Sequence, residues 1–443
     1  MQINIPSDVK RIIDRIEDAG YEAYAVGGCV RDALLLNKPH DWDITTSAPP
    51  LKVKELFDRT FDTGLQHGTV TVLMSGNNYE VTTYRIDGAY SDGRHPENVI
   101  FTRSLEEDLA RRDFTINAMA YHPERGLVDL FGGREDLAAG IIRCVGDPKE
   151  RFTEDALRMM RAVRFSARLG FEIEQGTADA VRELYSRLSM VSQERITDEL
   201  VKLLISERPA KIKSAYELGL TSVFFPEFDE MMACTQKTVY HSYTVGEHTL
   251  KVLEGVPGEK YKRLAALLHD VGKLYTKTIK EGVEHFYGHA AVSAERSEQI
   301  LKRFKLDNET IRRVKILAKY HDARFEVTEE NVRRLIGKVG RDLMPALLEL
   351  MDADLSGKSE YAIKTAVAHL QSLHEVYDIV SKRGDAVCIA ELDITGDDLM
   401  AAGVPGGKAV GECLGKLLEL VLKDPTLNKK DILLEKSILQ KML

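Results

Sequence analysis

The sequence predicts an α/β region over the first 140 residues or so, followed by an all-helical remainder, and three observations predict it. Strand-like alternating runs such as GTVTVLM and YEVTTYRI occur only in the first third of the chain. From Glu154 onward, EDALRMMRAVRFSARLGF, TADAVRELYSRL and ITDELVKLLIS carry apolar residues at helical spacing, and strand signals almost vanish. At 443 residues the chain exceeds what one hydrophobic core serves, and a prior of roughly one domain per 150 residues gives about three. Breaks near Arg208 and Pro209, near Pro226 and around 382–384 divide it into a head at 1–140, a helical neck at 141–235, a further helical domain at 236–360 and a tail at 361–443.

Composition sets the class. A hydrophobic fraction of 44% and a charged fraction of 30% are those of a folded globular protein. The five cysteines, Cys29, Cys144, Cys234, Cys388 and Cys413, are scattered with no CxxC pair, which argues against a disulfide framework or a zinc ribbon and fits a reducing cytoplasm. The N-terminal segment is amphipathic and charged throughout, unlike a signal sequence, and no apolar run reaches membrane-spanning length. A cytoplasmic protein with no membrane partner is expected. The net charge of −9 does not speak for a nucleic-acid partner, but Arg and Lys cluster locally, and local sign matters more than the sum.

Taken in order, DVKRIIDRIEDAG reads as a capped helix stopped by Gly20, and YEAYAVGG as a short apolar strand ending in a glycine pair. GGCVRD at 27–32 follows, then DWDIT, where Asp41 and Asp43 lie two apart in a strand-like segment and therefore on one face. Two adjacent carboxylates make an oxygen-rich cradle for divalent ions such as Mg2+, which clamp the oxygens of a phosphoryl transfer. The glycines, Gly28 among them, let backbone amides approach a triphosphate, and Arg31 can pair with it. Glu80, in the strand YEVTT after the turn SGNN, is a candidate third carboxylate.

RIDGAYSDGRHPENV reads as a loop, and RRDFTINAMAY places Arg111 and Arg112 ahead of Asp113 and Asn117, a set suited to a triphosphate or ribose. In EDALRMMRAVRF, Asp155 and Arg158 lie three apart and Arg158, Arg161 and Arg164 repeat at the same step, which puts them on one helical face. A carboxylate that accepts from an exocyclic amino group, beside a guanidinium that donates to a ring acceptor, reads the base edge of cytosine or adenine and rejects uracil and guanine. Arg161 and Arg164 then reach the phosphates.

These motifs, VGGCVRD, DWDITT, DGAYSDGRHP, RRDFTINAMAY and EDALRMMRAVRF, stand in one order over about 20–230 and resemble the class II CCA-adding enzymes and their poly(A) polymerase relatives in the polymerase-β nucleotidyltransferase superfamily. The resemblance implies a polymerase-β-like mixed sheet with catalytic carboxylates Asp41 and Asp43, triphosphate contacts at Gly28, Arg31, Arg161 and Arg164, Arg112 also touching the nucleotide, and base selection by Asp155 and Arg158. It further implies CTP and ATP as substrates, Mg2+ as cofactor, and body and tail helices that hold the acceptor arm of tRNA by shape and phosphate contacts. The loop DGAYSDGRHP resembles one that CC-only members lack, which disfavours CC-only addition. Full CCA addition, A-only addition and poly(A) synthesis stay open.

A second constellation resembles the HD superfamily: His248 in HTLKV, His269 and Asp270 in LAALLHDVGK, and Asp354 in MDADLSGK, with Asp352 an alternative to Asp354. This donor set suits a divalent metal of open identity that activates water against a phosphoester, and Lys273 is placed to contact a phosphate. His285, His289, His321 and Asp322 are further candidates for a second ion or for substrate contact. Competing functions are therefore an HD phosphodiesterase or phosphatase acting on RNA ends, with the head as adaptor, and a non-catalytic RNA-binding protein.

Overall fold

Helix Ser7–Asp18 buries Val9, Ile12, Ile13 and Ile16, the single stripe its sequence spacing prescribes. The computed structural model of the chain describes residues 3–87 and 99–440, so the loop motif at 88–96 lies outside the described residues. Two compact units divide at 226/227, next to the break at Pro226.

In the first unit, strands β1 (Ala23–Val26), β2 (Asp43–Thr46), β3 (Thr60–Gly64), β4 (Thr69–Met74), β5 (Asn77–Thr83), β8 (Met119–His122) and β9 (Gly126–Asp129) form one seven-stranded sheet in the order β3-β4-β5-β2-β1-β8-β9, while β6 (Arg85–Asp87) and β7 (Val99–Phe101) pair separately. All neighbours in the large sheet are antiparallel except β2 and β5. The expected hairpin is β4–β5. Alternation along β5 puts Tyr79, Val81 and Thr83 inside and leaves Asn78 and Glu80 outside. After β9, helices dominate, and Pro148–Glu154, Leu157–Leu169 and Gln193–Leu204 carry the neck motifs.

The second unit is helical with one exception to the all-helical expectation. Thr278–Lys280 and Val283–His285 form a two-stranded hairpin. Its loop is Glu281 and Gly282, both at positive φ (52° and 78°), the backbone of a two-residue turn whose twist matches the strands it joins. The buried Glu284 secures it, accepting from Thr235 Oγ1 (2.9 Å) and the Lys237 amide (2.7 Å). Helix Val245–Gly255 begins with a capping box between Thr244 and Glu247, which fixes His248 in its first turn. The tail after Gly384 has a core of its own around Leu392, Leu399, Leu417, Val421 and Leu433. No helix among the described residues is long and apolar enough to cross a membrane.

Candidate active sites

The parallel pairing of β2 with β5 sets Asp43 in register with Glu80. Asp41 lies just before β2 rather than on it, contrary to the strand expected over DWDIT. It is still close to Asp43: local burial, the Glu80 charge and the Asp41 charge raise the Asp43 carboxyl, while Arg112 lowers it. Asp43 and Glu80 on two neighbouring interior strands, with Asp41 and Arg112 beside them, thus gather three carboxylates, a donor set that fits a divalent cation. Arg112 also approaches Gly27, where a Cβ would lie 3.0 Å from its Nη1. Its Nη2 faces the buried Asp108 (3.4 Å), which accepts from Arg111 (2.7 Å) and from Thr45 of β2 (3.0 Å).

The segment EDALRMMRAVRF forms two helices, not one, because Asp155 takes an extended backbone (φ −140°, ψ 103°) between Pro148–Glu154 and Leu157–Leu169. Asp155 therefore precedes the helix that carries Arg158, whose amide donates to the Asp155 carbonyl (3.0 Å). The Asp155 carboxylate accepts from the Leu157 amide (3.0 Å) and from Arg195 (2.8 Å) on helix Gln193–Leu204. Arg158 donates to Glu154 (2.5 Å) and to the carbonyls of Arg151 (3.1 Å) and Arg111 (3.0 Å). Both groups are thus held partly within the motif, by Leu157 and Glu154, and partly from outside it, by Arg195, Arg151 and Arg111.

Arg31, Arg161 and Arg164 do converge, around the ring of Phe165, with guanidinium carbons 5.3, 5.4 and 3.9 Å from its centroid. Each also meets an acid. Arg161 donates twice to Asp113 (2.5 and 2.8 Å), Arg164 to Glu199, and Arg31 to Asp32 (2.8 Å) and to Asn117 Oδ1 (2.5 Å). Asp113 and Asn117 are consequently tied to arginines of other elements rather than left open for a ribose. Arg31 and Arg164 are buried, whereas the side chains of Arg112 and Arg161 remain 19% and 34% exposed. Sequence reasoning missed Arg195 and Glu199, whose partners lie far off in the chain, and Phe165 and Asp108, which their neighbouring arginines did not single out.

In the second unit, His248, His269, Asp270 and Asp354 offer one ligand atom each, all within 4.8 Å of one another, and all four residues are buried. Asp354 rather than Asp352 faces inward; Asp352 is exposed and pairs with His374 (3.0 Å). His248 Nδ1 contacts the Gly357 carbonyl (3.1 Å) and His269 Nδ1 the Ala266 carbonyl (2.7 Å). A carbonyl only accepts, so both Nδ1 atoms carry hydrogen and both rings turn Nε2 inward, 3.4 Å apart. His248 Nε2 lies 2.9 Å from Asp354 Oδ1, and His269 Nε2 lies 3.2 Å from Asp270 Oδ2. Burial alone would push both carboxyls up, but Lys273 beside Asp270 and Lys358 beside Asp354, with the histidines, hold them well below the usual range. The ligands are therefore ionised, and the set fits a divalent metal.

Lys273 is buried against Asp270 (2.7 Å) and Gln236 (2.7 Å), which makes it a brace for the cluster. His289 and His321 gather at the other oxygen of Asp270. His285 instead stacks on Tyr287, and Asp322 pairs with Arg324. A cavity of about 920 Å³ opens over Asp270, His289, His321 and Asp354.

A mixed sheet that crowds carboxylates on neighbouring strands, followed by a helix of arginines, defines a nucleotidyltransferase with a polymerase head. Residues 23–143 match the family described as the Poly A polymerase head domain, 170–232 the probable RNA and SrmB-binding site of polymerase A, and 277–437 a putative tRNA nucleotidyltransferase domain 2. The chain is similar to the CCA-adding enzyme of Leuconostoc mesenteroides, 34% identical over 427 residues (96% of this chain, 94% of the relative), and to that of Lactiplantibacillus plantarum, 36% identical over 432 residues (96% and 94%). Its fold matches the crystal structure of the Bacillus stearothermophilus CCA-adding enzyme in complex with CTP, with TM-score 0.73, 30% identity and coverage of 98% and 96% of the two chains. The chain belongs to the CCA-adding enzymes of the poly(A) polymerase family, whose nucleotidyl transfer uses divalent metal.

The Asp113–Arg161 pair carries a pH signature. Burial raises the Asp113 carboxyl, but the Arg161 charge and the hydrogen bonds from Asn117 and Arg161 outweigh it and hold it at about 2. Since the folded value is depressed below the unfolded value of roughly 3.9, the stabilisation is fully present above pH ~4 and is lost as pH falls toward ~2. Acid titration of unfolding free energy should show a loss on the order of 2 kcal/mol in that window from this group, and Asp113→Asn should flatten that part of the slope. An unchanged slope in the variant would show that Asp113 is not ionised in its pair.

Proposed function

We propose that this chain adds C, C and A in turn to the 3′ end of tRNA without a nucleic-acid template, taking CTP and then ATP. In each addition the RNA 3′-hydroxyl gives up its proton, its oxygen bonds to the α-phosphorus, and pyrophosphate leaves. The observation that carries this reading is the register of Asp43 with Glu80 on neighbouring parallel strands, with Arg112 beside them. Asp41 and Asp43 hold the metal, Mg2+ in the cell, which supplies positive charge at the transferring phosphate. Glu80 completes the acidic set. Gly28, with Arg112 and Arg161, whose side chains stay accessible, takes the triphosphate, and the buried Arg31 and Arg164 flank Arg161 at the ring of Phe165.

Asp155 and Arg158 choose the base. Their anchors, Arg195 for one and Glu154 for the other, fix acceptor and donors before a nucleotide arrives, which lowers the cost of ordering them on binding. Neck and tail helices receive the tRNA acceptor arm, and the reaction belongs in the cytoplasm, a reducing setting that the scattered cysteines fit. The divisions at 140, 235 and 360 then separate head, neck, HD module and tail.

A second reading concerns the buried cluster alone. His248, His269, Asp270 and Asp354 hold a divalent ion and hydrolyse phosphoesters at RNA ends, independently of nucleotide addition; the inward-facing Nε2 atoms support this. An A-only enzyme or a poly(A) polymerase would use the same head, and the substrate panel below separates them.

Asp41→Ala should lower incorporation of both CTP and ATP by at least ~100-fold; retention of both would overturn the polymerase assignment. The wild-type protein should complete tRNA transcripts ending before CCA, after the first C and after CC, whereas extension of the CC-ended transcript alone would mean A-only addition, and long A tails on unrelated RNA would mean poly(A) synthesis. Arg158→Ala should cut discrimination of C and A against U and G by about 1–3 kcal/mol, read as the ratio of kcat/KM values; unchanged selectivity would remove the protein-template reading. For the second site, His269→Ala should abolish metal-dependent phosphoester hydrolysis and leave nucleotide addition intact, and hydrolysis surviving in that variant would sink it.

A further inference from the structure

Three exposed tyrosines gather around the large cavity of the second unit. Tyr240, Tyr361 and Tyr287 are 49%, 53% and 69% exposed, and Tyr240 and Tyr287 line the cavity. Tyrosines scattered singly over a surface need no explanation, but these are arranged. The Tyr287 ring lies nearly parallel to that of His285, at 8° with centroids 5.2 Å apart, and Tyr240 meets Tyr361 at 57° and 5.5 Å. Both pairs hang on one frame. Glu284, next to His285, ties the hairpin to Thr235 and Lys237. Ser359, two residues before Tyr361, donates from its amide to the Tyr240 carbonyl (3.1 Å) and from Oγ to the Val239 carbonyl (2.7 Å). The rings are thus ordered in advance, which lowers the cost of binding to them.

A cation stands beside them. The hairpin register sets Thr278 opposite His285 and Lys280 opposite Val283, so Lys280 and His285 share a face. The Lys280 ammonium lies 5.9 Å from the Tyr287 centroid and enters no ion pair among the described residues. The cavity adjoins a second, of about 790 Å³, and both are lined by Thr238, Tyr240, His241 and His285. Either space alone is the size of a whole small-ligand site, so the two together outsize a mononucleotide. Stacked rings with an ammonium group beside them match single-stranded nucleic acid: every base has a face to stack, and the cation meets a backbone phosphate. A duplex hides those faces. In a CCA-adding enzyme the nucleic acid at hand is RNA.

We propose that this aromatic rim binds an unpaired RNA end, with one base continuing the His285–Tyr287 stack, a neighbouring base against Tyr240 and Tyr361, and Lys280 on the phosphate backbone. The proposal deepens the hydrolase reading of the second unit and rests on it for the fate of the bound end: the substrate is the end of a single strand, not a free nucleotide. The rim, rather than the buried cluster, then decides which phosphoesters reach the floor of the cavity. Tyr287, the most exposed of the three tyrosines, is the main stacking group.

The test uses the full chain in EDTA, so that binding is measured apart from any hydrolysis, and a single-stranded RNA hexamer with 5-iodouracil at each end. Irradiation should cross-link the hexamer to peptides that contain Tyr287 and Tyr240, located by mass spectrometry. Half-saturation of the Tyr240 cross-link should need about tenfold more RNA in Tyr287→Ala and stay near the parent value in Tyr287→Phe, which keeps the ring. Lys280→Gln should make its salt dependence shallower by about 0.7 in log–log slope. Cross-links confined to residues 1–226, or half-saturation unmoved by Tyr287→Ala, would overturn the proposal. So would displacement by AMP, or by a blunt duplex, as readily as by unlabelled hexamer. Failure of the hydrolase reading looks different: cross-links at the rim, with no hydrolysis once metal is restored, would keep the RNA surface and remove the reaction beneath it.

Discussion

Buried charge must find a partner, and the first unit is organised around that demand. An uncompensated buried carboxylate costs several kcal/mol, and Asp108, Asp113 and Glu199 are all buried. Asp113, from the head, meets Arg161 of helix Leu157–Leu169; Glu199, from the next long helix, meets Arg164; Asp32, beside the glycine turn, meets Arg31 and Arg168. These bonds fix the rotation of the arginine helix about its axis and so decide which guanidiniums stay accessible and which become supports. The packing of Phe165 among three cations is a result of the same convergence rather than its cause.

The second unit satisfies the demand differently. Lys273 and Lys358 neutralise one oxygen each of Asp270 and Asp354, and the histidines donate away from the centre, into the backbone. Helix ends supply the geometry: His269 follows Lys260–Leu268, His248 sits in a capped first turn, and Asp354 lies in the last turn of Met344–Ser356. Assembled this way, the cluster turns one donor atom of each of the four residues to a common centre, a set that fits a divalent cation.

What the sequence disclosed follows the range of the interactions involved. The carboxylates of DWDIT, the glycine turn, the β4–β5 hairpin and the H, HD, D series were legible because each depends on neighbours in the chain or on residue chemistry alone. The choice of Asp354 over Asp352 depended on which side of Met344–Ser356 packs inward, and the acid–histidine pair of Asp352 on the surface settles it. The hairpin at Glu281 and Gly282 had a readable turn, but its three-residue strands fall below the length at which alternation is distinct. The break at Asp155 ran against a continuous helical pattern, and Arg195, 40 residues later, left no local trace.

That last contact bears on how nucleotide preference can change by descent or by engineering. Because Asp155 is anchored by Arg195 and Arg158 leans on the carbonyl of Arg111, the element proposed to read the base draws on separated stretches of the chain. Grafting EDALR between relatives as a cassette would move the reader without its moorings. Only the Arg195 mooring is a side chain that substitution can remove, since the Arg111 carbonyl belongs to the backbone.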